Sequence, residues 1–262
     1  MCCQVRFGAG YMKIYKHSKL FASNSGFTQV ELIVVIVIGV ILVGLQTGCG
    51  MAKAKAKAQR IACVNNLKQI GIATQIYAVD NQDRFPWQVP AIETGPDGKE
   101  IMTGGTAEYI AVSKEAEYWK HFQALSNELS NPKVVRCPRD RNRNQANSFG
   151  ETEFGGPTGN LSMSYFIGKA SDVAKPNNIL SGDRNIEYGD YNNDDDNEGT
   201  HQKFGKKFSS KLRPAWTESL HQVQGNLLLS DSSCQMASAS RLRKYMIDSS
   251  DADNELMFPA GK

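Results

Sequence analysis

The longest apolar stretch of the chain lies near its N-terminus. Residues 27–45 have the sequence FTQVELIVVIVIGVILVGL, and the fourteen residues from Leu32 to Leu45 contain no polar side chain. As a helix, this stretch is about 28 Å long, close to the bilayer hydrocarbon thickness of about 30 Å. A buried strand is the alternative, but strands rarely exceed about 10 residues. The pattern therefore predicts a helix whose first part, residues 27–48, spans a membrane.

The residues before this stretch are basic. Residues 1–26 contain one arginine, three lysines and one histidine, but no acidic residue. Positively charged segments tend to stay on the cytoplasmic side of a membrane. We therefore expect a single-pass membrane protein with a cytoplasmic N-terminus, whose remaining residues lie on the other side of the membrane.

The helical pattern continues beyond the apolar stretch. Residues 51–80 are rich in alanine, lysine and glutamine and contain no proline, and an apolar or small residue recurs every three or four positions from Ile61 to Thr74. Alanine, lysine and glutamine favour helix, and the spacing is that of an amphipathic face. The sequence predicts one helix from residue 27 to about residue 78, with an embedded first half.

The rest of the chain predicts a mixed head. Glycine- and proline-rich turns separate short segments from residue 85 onward, with a helix expected over 113–130 and strands over 163–167, 178–181 and 226–230. The expected fold class is α+β, in which a long N-terminal helical spine packs on a small antiparallel sheet. The expected organisation is a leader (1–26), a transmembrane half-helix (27–48), a half-helix beyond the membrane (49–84) and a globular head (85–262).

A short motif at the start of the apolar stretch suggests a family. Gly26 is followed by Phe27-Thr28-Gln29-Val30-Glu31 and then by apolar residues. This arrangement resembles the processing signal of type IV prepilins and type II secretion pseudopilins, although Gln29 stands where that family usually has an apolar residue. The resemblance implies that a prepilin peptidase cuts between Gly26 and Phe27, and that the new Phe27 amino group is methylated.

The resemblance also gives Glu31 a role. A carboxylate in an apolar helix is costly unless a positive group neutralises it or it lies at the headgroup level. In the family, the amino group of the first mature residue, here Phe27, neutralises the glutamate of a neighbouring subunit during assembly. The implied partners are the prepilin peptidase, other copies or other pseudopilins in a homo- or hetero-fibre, and an inner-membrane assembly platform. The resemblance also implies that the chain lies in the inner membrane before assembly, with its head in the periplasm.

Later motifs resemble a pseudopilin-like group of planctomycetes and verrucomicrobia. That group has a Cys-Pro motif, matched by Cys137-Pro138, and a closing His-x9-Asp-Gly motif, matched by His221 and Asp231 but with Ser232 in place of the glycine. A serine adopts the positive φ of a tight turn only at a cost. We interpret His221 and Asp231 as a structural pair across a hairpin, with a catalytic base and its orienting acid as the alternative.

The cysteines allow two interpretations. A bridge between Cys63 and Cys137 would tie the helix to the head in the oxidising periplasm, and the alternative is that each is a small buried apolar residue.

A further cysteine suggests a different kind of processing. Cys49 follows Thr47-Gly48, which suits a lipoprotein site and is the rival to prepilin processing. The absence of a CxxC pair argues against a zinc ribbon or thioredoxin-like site.

The densest acidic run could bind calcium. Its oxygen ligands stand at alternate positions, but Asp195 and His201 occupy places where an EF-hand loop needs glycine and glutamate. The sequence is therefore compatible with either a calcium site or a solvated loop in this run. No other cofactor is expected. The candidate ligands are Asp190, Asn192, Asp194 and Asp196.

Composition and motifs favour a structural role. The 30 basic and 27 acidic residues give a net charge of +3, too small to draw the whole chain to nucleic acid. The basic cluster from Lys53 to Arg60 alternates with alanine and lacks aromatic residues, so we interpret it as a solvated face. No catalytic motif occurs, and we expect a non-enzymatic pseudopilin. The alternative is a membrane-tethered periplasmic protein that binds or hydrolyses a ligand such as a glycan.

Overall fold

The computed structural model describes residues 26–46, 50–110, 117–150, 153–154, 160–188, 201–209 and 213–259. The chain divides into two units, Met1–Cys49 and Gly50–Lys262. The described residues form five α-helices and ten β-strands.

The first unit contains helix α1, Gln29–Gln46. Thr28 begins it with a capping box, because Thr28 Oγ1 accepts from the Glu31 backbone N–H (3.3 Å) while Glu31 Oε2 accepts from the Thr28 N–H (2.9 Å). Apolar side chains are exposed on every face from Val30 to Ile41. Helix α1 therefore has no polar face within its described side chains.

The predicted membrane span is wrong. Among the described residues, no helix combines the length and the apolar character needed to cross a bilayer. The uninterrupted apolar part of α1 runs from Leu32 to Leu45 and is about 21 Å long, well short of about 30 Å of hydrocarbon. Phe27 and Thr28 precede the helix instead of extending it. The single-pass topology and the inner-membrane location depended on this span, so these two predictions are wrong as well.

The second unit begins with helix α2, Gly50–Asp80. Its first residues are largely exposed, whereas Cys63, Leu67, Ile70 and Tyr77 are buried against the rest of the unit. Their spacing of three, four and seven residues places them on one side of the helix. The amphipathic half of α2 thus covers one face of the main sheet.

The main sheet has six antiparallel strands in the order β6-β10-β3-β4-β8-β9. Their bounds are β3 Tyr165–Gly168, β4 Ile179–Asp183, β6 His201–Lys203, β8 Gln224–Leu229, β9 Cys234–Ser238 and β10 Glu255–Met257. Two smaller antiparallel pairs are β1 Ile92–Thr94 with β2 Glu100–Met102, and β5 Ile186–Tyr188 with β7 Pro214–Trp216.

The sheet is covered on both faces. Leu228 belongs to the apolar cluster beneath α2, whereas Leu227 and Leu229 belong to a second cluster on the other face, as the alternation of a strand requires. Helix α5, Ala239–Asp248, closes the second face. Strand β8 is therefore buried on both faces, and the core has two layers.

The remaining helices are short. Helices α3, Trp119–Gln123, and α4, Ser126–Leu129, lie within the segment predicted as one helix over 113–130, and short 3-10 helices include Pro132–Val135. The predicted strands overlap β3, β4 and β8. The predicted fold class is nevertheless wrong in its defining feature, because a six-stranded sheet with five helices replaces a transmembrane spine on a small sheet.

Candidate functional site

A disulfide lies at the centre of the polar cluster under α2. Cys63 on α2 is joined to Cys137, which follows the 3-10 helix Pro132–Val135, with their Cα atoms 5.2 Å apart. Both cysteines are fully buried. The bond therefore ties α2 to the loop beside the sheet, as one of the two interpretations of the sequence suggested.

His221 contacts this disulfide. Its Nε2 lies 3.5 Å from Cys137 Sγ and 3.4 Å from Asp183 Oδ2, at the end of β4. The same carboxylate oxygen accepts hydrogen bonds from the backbone N–H and the side-chain amide of Asn226, at 2.7 and 2.9 Å. A disulfide sulfur, an imidazole and a carboxylate thus form one buried cluster.

Burial sets the charge of these groups. It lowers the pKa of His221 to about 4, with further lowering from the nearby cations Arg60 and Arg139. It raises the pKa of Asp183 to about 7, although hydrogen bonds from Asn226 and the charge of Arg60 act in the opposite direction. At neutral pH, His221 is therefore uncharged and Asp183 is partly protonated, so the two do not form a full ion pair.

Cationic side chains surround the cluster. Arg60 donates from Nε to Asn226 Oδ1 (3.3 Å) and from Nη2 to the Gly225 carbonyl (3.2 Å), and also contacts Gln224. Arg139 donates from Nε to the Leu220 carbonyl at 2.6 Å. These bonds fix two guanidinium groups beside the histidine.

An open groove lies above the cluster. One cavity of about 490 Å³ is lined by Lys53, Lys57, Arg60, Arg139 and His221, with no acidic residue in its lining. A neighbouring cavity of about 750 Å³ adds Lys55 and Arg141, together with Asp140 and Glu218. We call these two cavities the cationic groove. Its charge suits an anionic ligand.

The residues of the processing motif lie before α1. Gly26 and Phe27 are exposed and outside regular secondary structure, and a Cβ on Gly26 would meet no atom of the described residues within 4 Å. Hydrogen bonds from the backbone and the side chain of Thr28 lower the pKa of Glu31. Glu31 is therefore a charged residue that already caps its own helix.

The structure does not bring His221 and Asp231 together. His221 precedes β8, whereas Asp231 lies in the turn that follows it, so the length of the strand separates them. Asp231 Oδ1 accepts from the Ser233 N–H at 2.8 Å, and Ser232 takes the positive φ of 65°. The predicted cross-hairpin pair is replaced by His221 with Asp183. The four candidate calcium ligands, Asp190, Asn192, Asp194 and Asp196, lie outside the described residues.

Sequence reasoning missed Asp183, Asn226 and Arg60. They come from β4, β8 and α2, and no spacing along the chain shows that they meet. Thr28-x-x-Glu31, in contrast, has the spacing of a capping box and was available as a signal. No protein-family model matches the chain, and no curated protein or solved structure is similar to it.

Proposed function

We propose that the chain is a structural subunit of a pilin-like fibre of the type IV pilus or type II secretion kind. A prepilin peptidase removes residues 1–26, and α1 then packs against the same helix of other copies or of related subunits. One observation supports this most directly: α1 exposes apolar side chains on all its faces. A helix that is apolar all round is stable only when it is buried.

The exposed area favours association. Each large apolar side chain gains about 1.5–3 kcal/mol when it is fully buried. Helices that share this surface bury it among themselves, which is the arrangement of a helical fibre core. About half or more of each large apolar residue described here is exposed; ten lie on α1 and Phe27 just precedes it, the eleven being Phe27, Val30, Leu32, Ile33, Val34, Val35, Ile36, Val37, Ile38, Val40 and Ile41.

The bond that must be cut is accessible. Gly26 and Phe27 are exposed and lie outside the helix, which begins at Gln29. A peptidase can therefore bind this bond without unwinding α1. After cleavage, a new positive amino group stands one residue before Thr28, whose N–H already donates to Glu31.

Glu31 serves two purposes in this proposal. Within one subunit it caps α1, and between subunits it accepts the Phe27 amino group of a neighbour. A carboxylate has two oxygens with several lone pairs, so both interactions are possible at the same time. The charge pair would fix the register of neighbouring helices.

The experiment is co-expression with a prepilin peptidase, followed by mass determination of the N-terminus. We expect a chain that begins at methylated Phe27. Gly26→Val should block cleavage, whereas Gly10→Val, a matched change inside the leader, should not. A wild-type chain with an intact leader, or with a lipid on Cys49, would contradict the proposal.

The cationic groove favours a second candidate, a protein that binds an acidic ligand such as an anionic glycan. In the smaller cavity, two lysine and two arginine side chains line the surface around His221. Titration with a uronic-acid oligosaccharide at low salt tests this. Binding that weakens with salt and is lost in Arg139→Ala supports it, and absence of binding counts against it.

A further inference from the structure

Three metal-ligating side chains from distant parts of the chain meet at the disulfide, and a fourth lies beside the histidine among them. Ligand atoms of Cys63, Cys137 and His221 all lie within 4.8 Å of one another, and all three residues are buried. Asp183 adds a carboxylate oxygen 3.4 Å from the same imidazole nitrogen. Sulfur, imidazole nitrogen and carboxylate oxygen are the donors that zinc prefers in proteins.

The two distances from the His221 imidazole suit a tetrahedral zinc site. Bonds of about 2.3 Å to sulfur and about 2.05 Å to nitrogen at the tetrahedral angle place these two atoms about 3.6 Å apart, and a nitrogen and an oxygen about 3.4 Å apart. His221 Nε2 lies 3.5 Å from Cys137 Sγ and 3.4 Å from Asp183 Oδ2. The two sulfurs must separate, which happens when their bond is reduced. The Asp183 carboxylate must also move closer to them, because its oxygens lie outside the group of ligand atoms within 4.8 Å of one another.

We propose that reduction of the Cys63–Cys137 disulfide converts this cluster into a buried zinc site with Cys63, Cys137, His221 and Asp183 as ligands. A dithiol supplies two electrons and two protons, so that the sulfur–sulfur bond breaks into two thiols and the dithiol becomes a cyclic disulfide. One Zn²⁺ then displaces the two thiol protons to solvent and binds both thiolates.

The zinc site and the disulfide exclude each other, because the same sulfurs form either bond. Each state links Cys63 on α2 to Cys137 in the loop beside the sheet. The metal would therefore replace the covalent link where the disulfide is reduced. Asn226 orients the carboxylate of Asp183 with two hydrogen bonds, and the oxygen that it holds is the proposed ligand.

The test uses the 262-residue chain reduced with a phosphine, which takes its oxygen from water to become a phosphine oxide. Native mass spectrometry gives the number of zinc ions, and Co²⁺ as a probe reports thiolate ligation by its charge-transfer absorption. We expect one ion per reduced chain and none per oxidised chain. Circular dichroism follows folding in parallel.

Variants assign the ligands. Cys63→Ser, Cys137→Ser and His221→Ala should each weaken zinc binding by at least about 100-fold, and Asp183→Asn by about 10-fold with unchanged stoichiometry. Cys234→Ser, at the cysteine that is free among the described residues, is the matched control and should bind as the wild type does. Loss of zinc in that control would overturn the proposal, as would equal binding by Cys137→Ser or by the oxidised chain.

Folding of the reduced chain is also informative. A reduced chain that is unfolded without zinc and folded with it supports the site, because the metal then supplies folding free energy. A reduced wild-type chain that binds no zinc overturns the proposal, whether it is folded or not.

Discussion

Arg184 donates two hydrogen bonds to Asp140, from Nε at 2.8 Å and from Nη2 at 3.0 Å, with both side chains only 1% exposed. This bidentate pair joins Arg184, directly after β4, to Asp140, three residues after Cys137, and so holds the loop that contains Cys137. Removing one partner of a buried pair leaves an uncompensated charge, which costs about 3–5 kcal/mol. Asp140→Asn should destabilise the protein by that amount in urea unfolding.

The half-buried pair Arg84–Glu93 provides the control for that measurement. It is also close, at 2.7 Å, but each side chain is about one-third exposed. Glu93→Gln should cost less than about 1 kcal/mol, because solvent screens the pair. Equal losses in Asp140→Asn and Glu93→Gln would contradict the importance assigned to burial.

Loss of the disulfide should destabilise the oxidised protein. The bond joins residues 74 positions apart, and the chain-entropy relation gives about 4 kcal/mol for such a loop. We expect this loss in the double variant Cys63→Ser/Cys137→Ser, measured by chemical unfolding without zinc. Cys234→Ser should change stability by less than about 1 kcal/mol. A double variant as stable as the wild type would refute the prediction.

Asp183 should make stability depend on pH. Its folded-state pKa of about 7 lies above the ordinary value of 3.8, so the folded protein binds more protons between these values and loses stability as pH rises through them. The Asp183→Asn variant does not lose stability in this way, because its side chain does not titrate. It keeps an oxygen that can accept hydrogen bonds from Asn226. Relative to the wild type, the variant should gain about 4 kcal/mol between pH 4 and pH 8.

His221 has the opposite effect on the pH dependence of stability. Its folded-state pKa of about 4 lies below 6.5, so stability is lost as pH falls through that window. Because His221 is present in both proteins, its effect largely cancels in the difference between Asp183→Asn and the wild type. A difference that stays constant with pH would show that Asp183 is not perturbed.

Gly225 allows the sheet to approach an aromatic ring. A Cβ at this position would lie 2.3 Å from Cε3 of the fully buried Trp216. Gly225→Ala should therefore destabilise the protein by about 1–3 kcal/mol through overpacking. Gly150→Ala is the control, since the nearest described atom to its Cβ would be Ser148 Oγ, at 3.4 Å. Similar melting temperatures for the two variants would contradict this account of Gly225.

The sequence located local features better than long-range ones. The apolar run, the amphipathic half of α2 and the strand segments follow from periodicity, which acts over a few residues. The membrane prediction failed because Phe27, Thr28 and the capping residue Glu31 were counted as part of an apolar span. The Asp183–His221 contact was not predictable. Asp183 ends β4 and His221 lies three residues before β8, and it is the pairing of these two strands that brings them together.

Glu31 is the residue on which the proposed assembly depends, and its two roles can be separated. Glu31→Gln keeps an oxygen for the Thr28 N–H, so the cap persists while the charge is removed. Thr28→Ala removes the hydroxyl contact at 2.9 Å but keeps the charge. Both variants leave the apolar surface of α1 unchanged.

Sedimentation velocity of the processed chain, residues 27–262, with these two variants tests the central claim most directly. The wild type and Thr28→Ala should form large assemblies, whereas Glu31→Gln should not, because its neighbour's Phe27 amino group has no carboxylate to bind. Assembly of Glu31→Gln to the same extent as the wild type, or a wild-type chain that remains monomeric, would contradict the account.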